Sequence, residues 1–119
     1  MTSLFKQNIA QPPETRNFKA NGHVDVVTLG SFTLGRGTFE PGWRWSNDVK
    51  PIAGTPSCTT RHTGVVLSGS MTVLADDGTQ VTFQSGDVFL MEPGHDAWVE
   101  GNESCIIYDF GVAAFVKQT

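Results

Sequence analysis

The sequence predicts an all-β fold, either a sandwich or a barrel. Thirteen glycines and six prolines separate short apolar runs that are rich in Val, Thr and Phe, a composition typical of short strands joined by sharp turns. The runs recur roughly every 8 to 12 residues, which favours a sandwich or barrel over a helical fold. With 119 residues, 39% of them hydrophobic, the chain is large enough to bury a core in one compact domain.

The individual strands are runs of alternating or continuous apolar residues between turn residues. Asp76-Asp77-Gly78 predicts a tight hairpin between two of them, because Gly supplies the positive φ that such a turn requires. Residues 47–55, which contain Gly and Pro, are predicted to form a loop. We predict strands at 24–29, 32–39, 43–46, 57–67, 71–75, 79–83, 87–91, 97–99 and 104–110. Five phenylalanines are interpreted as core residues, namely Phe32, Phe39, Phe83, Phe89 and Phe110.

The beginning of the chain differs from the rest. Residues 1–22 show no sustained hydrophobic period and are interpreted as an extended N-terminal arm, which leaves residues 23–119 as the barrel domain. A barrel of this size leaves strand edges open, and the arm carries the apolar side chains Phe5, Ile9 and Phe18. We therefore expect a homodimer in which the arm contacts a neighbouring subunit.

Charge and composition argue against several classes of partner. The formal net charge of −4 and a pI near 5.1 disfavour binding to the phosphate backbone of nucleic acids. No segment approaches the roughly 18 apolar residues of a membrane span, so we expect a soluble, cytoplasmic protein with no membrane partner. Gly35-Arg36-Gly37 precedes a strand and not a helix, so no nucleotide cofactor is indicated, and no nucleophile triad is recognised. Cys58 and Cys105 are expected to be reduced thiols.

Two segments carry a motif-like pattern. Residues 58–62 (Cys-Thr-Thr-Arg-His) lead into an apolar strand that ends at Gly69, and a second apolar strand runs from Gly86 to Pro93-Gly94-His95. Across roughly Phe39 to Phe110, this pattern resembles the two motifs of the cupins. The resemblance implies a small single-domain cupin, a double-stranded β-helix of the jelly-roll type. The sixteen residues between Gly69 and Gly86 are similar to the spacing in compact bacterial cupins.

The resemblance breaks down at the positions where cupins usually hold a metal. The two histidines of the first motif fall on Pro56 and Cys58, and its glutamate falls on His62. The histidine of the second motif falls on Ala97, whereas His95 stands two residues earlier. The usual set of three histidines and one glutamate is therefore absent, and each residue has to be judged on its own chemistry.

A different ligand set is available at these positions. Side chains alternate faces along a strand, so Cys58 and His62 point the same way, which is inward in the cupin register. His95 could enter the pocket from the neighbouring strand in place of the residue missing at Ala97. One thiolate and two imidazoles are good ligands for Zn and also suit Fe, Ni or Cu, and three ligands leave one position open. The alternative is structural, with Cys58 a small buried apolar residue, His62 bonded to a backbone carbonyl, and His95 a turn residue that caps the loop together with Asp96.

Aromatic and acidic residues near the motifs are candidates for the substrate-binding wall. Trp43, Trp45 and Trp98 predict an aromatic surface for an apolar or ring-shaped ligand, unless they cover the barrel end or a dimer interface. Tyr108 and Asp109 alternate in the last strand, so only one of them faces inward. An inward Asp109 would orient an imidazole or act as a base, and an outward one would form a surface salt bridge.

The resemblance leaves more than one function open. A metal-dependent cupin enzyme would be a dioxygenase, an isomerase or a lyase acting on a small organic molecule. A non-catalytic, metal-free cupin would bind a small molecule for sensing or storage, and a plain scaffold would fill its barrel with side chains. Because cupins include all three, the fold does not choose among these functions. We expect a small-molecule-binding cupin that contains a divalent transition metal, and we assign no reaction to it.

Overall fold

The structure, a computed structural model, describes residues 3–117 and is almost entirely β within that range. The strands, numbered in chain order, are β1 (Glu14–Asn17), β2 (Gly22–Leu29), β3 (Phe32–Phe39), β4 (His62–Ser68), β5 (Ser70–Ala75), β6 (Gln80–Gln84), β7 (Val88–Met91), β8 (His95–Val99) and β9 (Cys105–Asp109). Two short helices, α1 (Trp45–Asp48) and α2 (Lys50–Ala53), lie between β3 and β4. Neither helix is long and apolar enough to cross a membrane.

The strands form two antiparallel sheets that enclose the core. One sheet has the order β1-β2-β3-β9-β4-β7 and the other has the order β6-β5-β8. Burial alternates along β8 and β9, so that every second side chain faces the interior. This arrangement is the jelly-roll barrel that the sequence predicts. Its inner faces bring β4, β8 and β9 around one end of the core, where the candidate site lies.

The sheet begins inside the predicted arm. Strand β1 pairs with β2, from Glu14 opposite Val26 to Asn17 opposite His23. Phe18, expected to contact a second subunit, is 6% exposed and stacks on Phe39 in the core of its own chain. The homodimer and the boundary between residues 1–22 and 23–119 stay predictions.

The prediction of a strand at residues 43–46 is wrong, because α1 begins at Trp45. The buried Asp48 accounts for the helical turn, since its carboxylate accepts the backbone N–H of Arg44 at 3.1 Å and its own N–H donates to the Arg44 carbonyl at 2.9 Å. The predicted loop at 47–55 likewise contains the end of α1 and all of α2. Four alternating residues are too few to distinguish a strand from a helical turn.

The other strand predictions hold with smaller changes. The predicted hairpin is present, and Gly78 has the expected positive φ of 91°. The strand predicted from Ser57 begins only at His62, and Cys58 makes an isolated bridge to His95. Among the phenylalanines predicted as core, Phe39 and Phe89 are buried in it, and Phe83 is partly buried and packs against it. Phe32 and Phe110 do not, since they are 50% and 49% exposed and contact each other on the surface.

Candidate metal centre

Backbone contacts place Cys58 directly beside His95. The N–H of Cys58 donates to the His95 carbonyl at 2.8 Å, and the N–H of Gly94 donates to the Cys58 carbonyl at 2.7 Å. Gly94 has a φ of 94°, and a Cβ there would lie 2.9 Å from Oδ2 of Asp76. A glycine is therefore required at the turn that sets His95 at the start of β8.

Sheet register places Asp109 beneath His62. Gly64 of β4 lies opposite Asp109 of β9, and His62 is two residues earlier on the same face as Gly64. Nδ1 of His62 lies 2.5 Å from Oδ2 of Asp109, and both side chains are buried. Tyr108 is only partly buried and points away from the core. Asp109 is thus the inward member of the pair that the sequence left undecided.

Cys58, His62 and His95 converge in the barrel interior. Their donor atoms all lie within 4.8 Å of one another, and all three residues are buried. The Sγ of Cys58 is 3.6 Å from Nε2 of His62. Two ligands of one tetrahedral zinc ion, with Zn–S of about 2.3 Å and Zn–N of about 2.05 Å, are also about 3.6 Å apart. The donor set therefore fits a metal ion.

Hydrogen bonds orient both imidazoles so that Nε2 is available to a metal. Nδ1 of His95 lies 2.8 Å from the backbone oxygen of Glu92. A carbonyl only accepts, so Nδ1 carries the proton and the Nε2 of neutral His95 keeps its lone pair. The Asp109 carboxylate has the same effect on His62, and its other oxygen accepts the N–H of Gly111 at 2.7 Å. Such outer contacts are typical of histidines that bind metals.

The metal-free site holds opposite charges. Burial disfavours the Cys58 thiolate, but the hydrogen bond with His62 and the charge of His62 outweigh it and lower the pKa of Cys58 to about 6. Burial also disfavours a charged His62, yet its hydrogen bonds to Asp109 and Cys58 and their negative charges raise the pKa of His62 to about 9. Between these pKa values, a thiolate faces an imidazolium.

Cys58, His62 and Asp109 also contact one another in the order of a nucleophile triad, which sequence reasoning missed. Cys58 contacts one nitrogen of His62, and the other nitrogen of His62 contacts the Asp109 carboxylate. A thiol, a base and an acid that orients the base occupy these roles in many hydrolases. Asp109 lies 47 residues beyond His62 in the chain, so no local motif signals the arrangement.

A small cavity adjoins the cluster. It has a volume of about 30 Å³ and is bordered by Cys58, His62 and His95, by Asp109, and by apolar side chains that include Met91 and Phe115. This is room for about one water-sized group. A separate open cleft of about 360 Å³ shares Met91 and His95 with the cavity, so His95 stands between the two.

The three predicted tryptophans do not form one surface. Trp43 and Trp45 are buried and border the small cavity. Trp98 does not, because its neighbours in β8 face inward. The indole N–H of Trp98 donates to Oε1 of Glu100 at 2.9 Å, and the guanidinium of Arg44 lies 4.3 Å from the ring centroid. The prediction that Trp98 joins Trp43 and Trp45 in one aromatic wall is therefore wrong.

Phe115 is a cavity residue that sequence reasoning missed. Its ring contacts that of His62 edge to face, with centroids 4.8 Å apart. The buried guanidinium of Arg16 in β1 holds the surrounding segment, since Nη1 donates to the carbonyls of Val112 at 2.6 Å and Phe115 at 2.9 Å. The contact joins residues 96 to 99 positions apart, and no local pattern predicts it.

One family of proteins matches this chain in sequence. The sequence model of the EutQ-like cupin domain matches residues 48–106. This range contains Cys58, His62 and His95 but not Asp109. No curated protein sequence is similar enough to this chain to count as a match.

Several solved structures share the fold. A protein of unknown function from Rhizobium leguminosarum is 20% identical, with a TM-score of 0.60 over 91% of this chain and 96% of that one. The polyketide cyclase RemF from Streptomyces resistomycificus is 16% identical, with a TM-score of 0.63 over 89% of this chain and 77% of that one. An uncharacterised Klebsiella pneumoniae protein with a double-stranded β-helix domain is 19% identical, with a TM-score of 0.58 over 96% and 95% of the two chains. Identities this low indicate a common fold and nothing finer.

Proposed function

Because this chain is a small cupin, we propose that it binds a transition metal ion through Cys58, His62 and His95 and binds a small molecule beside that ion. The observation that carries the proposal is the convergence of three buried donor atoms within 4.8 Å. These donors come from three separate segments, and each is held in place by its own backbone or carboxylate contact.

The donor set narrows the choice of metal. A thiolate with two imidazoles favours Zn and also suits Fe, Ni and Cu, and three protein donors leave one coordination position for another ligand. When bound, such an ion supplies Lewis acidity. Nδ1 of His62 stays protonated because it donates to the Asp109 carboxylate, and Nε2 of His62 therefore faces Cys58. Binding of the ion displaces the second proton of the His62 imidazolium, which makes the affinity rise with pH.

The position of the organic ligand follows from the two volumes. The cavity of about 30 Å³ is too small for an organic molecule, whereas the cleft of about 360 Å³ is within the range of ligand sites. The cleft combines apolar side chains such as Val81 and Leu90 with the carboxylates of Asp76, Asp77 and Glu92. It therefore suits a neutral or cationic molecule that reaches the cluster at His95.

Metal analysis of protein purified without a polyhistidine tag tests the proposal. We expect about one equivalent of a transition metal in the wild-type protein and almost none in Cys58→Ala. Cys105→Ala is the matched control, because Cys105 is equally buried but belongs to no group of potential metal ligands among residues 3–117. An equal metal content in the two variants, or no binding by the wild type after incubation with zinc and removal of the excess, would contradict the proposal.

The triad geometry favours a second candidate function, a reactive thiol that acts without metal. In this case the Cys58 thiolate is the nucleophile, His62 is its acid or base, and Asp109 orients His62. The order of contacts from Cys58 to His62 to Asp109 supports this assignment.

The rate at which iodoacetamide alkylates Cys58 separates the two candidates. A metal site protects Cys58, so a chelator speeds the reaction and added zinc slows it. A metal-free nucleophile reacts at one rate under both conditions, and His62→Ala slows it because the thiolate loses its cationic partner. A rate that responds to neither zinc nor His62→Ala would exclude both candidates.

A further inference from the structure

The outer faces of the two sheets differ in polarity. On the three-stranded sheet, Oε1 of Glu100 accepts from the Thr72 hydroxyl at 2.7 Å and from the Trp98 indole at 2.9 Å. The Thr72 hydroxyl also lies 2.7 Å from that of Thr82. Such polar pairs are common where an antiparallel sheet faces water. On the six-stranded sheet, the outward side chains of β4, β7 and β9 with the residue after it are uncharged, and all but one are apolar or aromatic: Thr63, Val65, Leu67, Val88, Leu90, Ile106, Tyr108 and Phe110.

Strand pairing makes these side chains one continuous surface. Val65 lies opposite Val88 in β7 and opposite Tyr108 in β9, so these three residues form a row across the strands. At the end of the next row, the ring of Phe110 contacts that of Phe32, with centroids 5.8 Å apart. We call the eight outward residues, together with Phe32, the outer apolar face.

Much of the outer apolar face is exposed. Val88 is 80% exposed and Leu90 53%, while Phe32, Leu67 and Phe110 are between 39% and 50% exposed. From their size and exposure, these five side chains present roughly 400 to 500 Å² of apolar surface. A standard protein–protein interface takes about 800 Å² from each partner, and about 60% of this area is apolar. The face therefore carries the apolar area that one such interface requires.

The charges beside the face favour a second copy of this chain as the partner. Arg36, opposite Tyr108, is ion-paired with Asp25 at 3.0 Å, and Arg61, just before β4, is ion-paired with Glu92 at 2.9 Å. Because both arginines are paired within the chain, neither is a free cation for lipid phosphates or an acidic partner. An uncharged surface meets its own copy without like-charge repulsion, and a twofold-symmetric contact uses the same surface of both subunits.

We propose that the outer apolar face is the interface of a homodimer, in which a second copy of this chain packs against it around a twofold axis. The interface and the candidate metal centre then lie on opposite faces of the same strands. Thr63 follows the inward His62, and Phe110 follows the inward Asp109. The inference goes beyond the proposed function and does not depend on metal binding.

Sedimentation velocity of the wild type and two lysine variants tests the proposal. The wild type should have twice the chain mass of 12.9 kDa at micromolar concentration. Val88→Lys should raise the dissociation constant of the dimer by about 100-fold or more, because each dimer then buries two unpaired charges. The single chain should stay folded, since Val88 is 80% exposed and lysine is common on edge strands. Ile52→Lys is the matched control, because Ile52 is a 41% exposed aliphatic residue of α2 outside the face.

Two results would overturn the proposal. One is a wild type that stays monomeric at all concentrations, and the other is an equal dissociation constant for Val88→Lys and Ile52→Lys. If the wild type is monomeric and binds neutral phosphatidylcholine vesicles, whereas Val88→Lys does not, the face contacts a lipid surface in place of a second copy.

Hydroxyl-radical footprinting of the wild type decides the case if Val88→Lys does not fold. Leu90 and Phe110 should be oxidised more slowly in the dimer than at concentrations where the monomer dominates, and Ile52 should be oxidised at the same rate in both. Phe5, in the N-terminal segment, is 70% exposed and offers a different contact. Protection of Phe5, with Leu90 and Phe110 unprotected, would identify the arm as the interface and overturn the proposal.

Discussion

Two buried cysteines at opposite ends of the barrel interior differ in chemistry. Cys58 and Cys105 are 2% and 0% exposed. The pKa of Cys58 is lowered to about 6. Burial, together with the charge of Glu103, raises the pKa of Cys105 to about 12. Because exposure is nearly equal, burial does not decide which thiol is reactive.

The neighbours of the two thiols account for the difference. Cys105 and Asp109 are the ends of β9, about 13 Å apart at 3.3 Å per residue. At the Cys105 end, burial is not offset by any hydrogen bond that favours the thiolate, so the proton is retained. At the Asp109 end, the carboxylate holds a charged His62 beside Cys58. One inward carboxylate thus distinguishes the proposed binding end of the core from the end that serves packing.

Truncation of Phe89 should mainly reduce stability, whereas truncation of His62 should mainly reduce metal binding. Phe89 is 3% exposed, and Phe89→Ala should lower the free energy of unfolding by about 3–5 kcal/mol through lost burial and a cavity. His62→Ala should cost less, about 1–3 kcal/mol, because it leaves buried partners unpaired, but it should abolish metal binding. Chemical denaturation in chelator measures the first effect without stabilisation by the metal, and metal analysis measures the second.

If His62→Ala retains metal and loses as much stability as Phe89→Ala, then His62 is a packing residue and not a metal ligand.

Alkylation rates should differ between the two cysteines by roughly 10² to 10³ in metal-free protein at neutral pH. The thiolate fractions differ by about 10⁵, but a thiolate of lower pKa is intrinsically less nucleophilic, which offsets part of the difference. Both thiols are buried, so access affects them similarly. Mass spectrometry of alkylated peptides gives both rates from one sample. Equal rates would show that local opening, and not ionisation, controls the reaction.

Asp109→Asn should weaken zinc binding by about 10- to 100-fold, the usual effect of removing the outer partner of a metal-binding histidine. The amide retains the size of the carboxylate but lacks its charge, so His62 is a weaker ligand. Competition with a chelator of known affinity measures the change. Asp25→Asn is a suitable control, since Asp25 is also buried and ion-paired, with Arg36, but belongs to no group of potential metal ligands among residues 3–117. The same loss in both variants would indicate a general effect of buried charge.

The pH dependence of stability should show the smallest effect. The pKa of Cys58, about 6 when folded and about 8.5 when unfolded, gives a contribution that is present above about pH 8.5 and lost as pH falls through about 6. The raised pKa of His62, about 9 when folded and about 6.5 when unfolded, gives a contribution that is present below about 6.5 and lost as pH rises through about 9. The two slopes nearly cancel between about pH 6.5 and 8.5.

Removing one partner should expose the slope of the other. In Cys58→Ser, unfolding free energies measured in chelator should fall as pH rises through the remaining His62 transition, by at most about 1.4 kcal/mol per pH unit. Cys105→Ser should keep the flat profile of the wild type. A flat profile in Cys58→Ser would show that Asp109 alone does not raise the pKa of His62.

Local sequence patterns predicted most of the strands and the convergence of Cys58, His62 and His95, because both depend on alternation and short spacing. Cys58 and His62 lie four residues apart, and His95 follows a Pro-Gly turn that ends an apolar strand. Alternation also explains the errors, since Phe110 follows the inward Asp109 and Trp98 lies between inward residues. The same parity rule, applied to Cys105 and Ile107, would have identified Asp109 as inward.

The features that the sequence did not reveal depend on contacts between distant parts of the chain. Strand β1 is short and polar, so no hydrophobic period marks it. The triad was missed because Asp109 reaches His62 through the pairing of β4 with β9. The loss of a strand at Trp43 depends on Asp48, whose buried carboxylate holds a helical turn.

We expect the contact of Arg16 with the segment from Val112 to Phe115 to influence how fast a ligand would exchange between the inner cavity and solvent. Phe115, Trp45 and Cys58 border both the inner cavity and a surface depression of about 250 Å³, so Phe115 is part of the partition between cavity and solvent. The carbonyls that accept from Arg16 belong to a segment without helix or strand. We therefore expect the cluster to govern affinity at the proposed site, and the Arg16 guanidinium, which holds the segment that carries Phe115, to govern residence time.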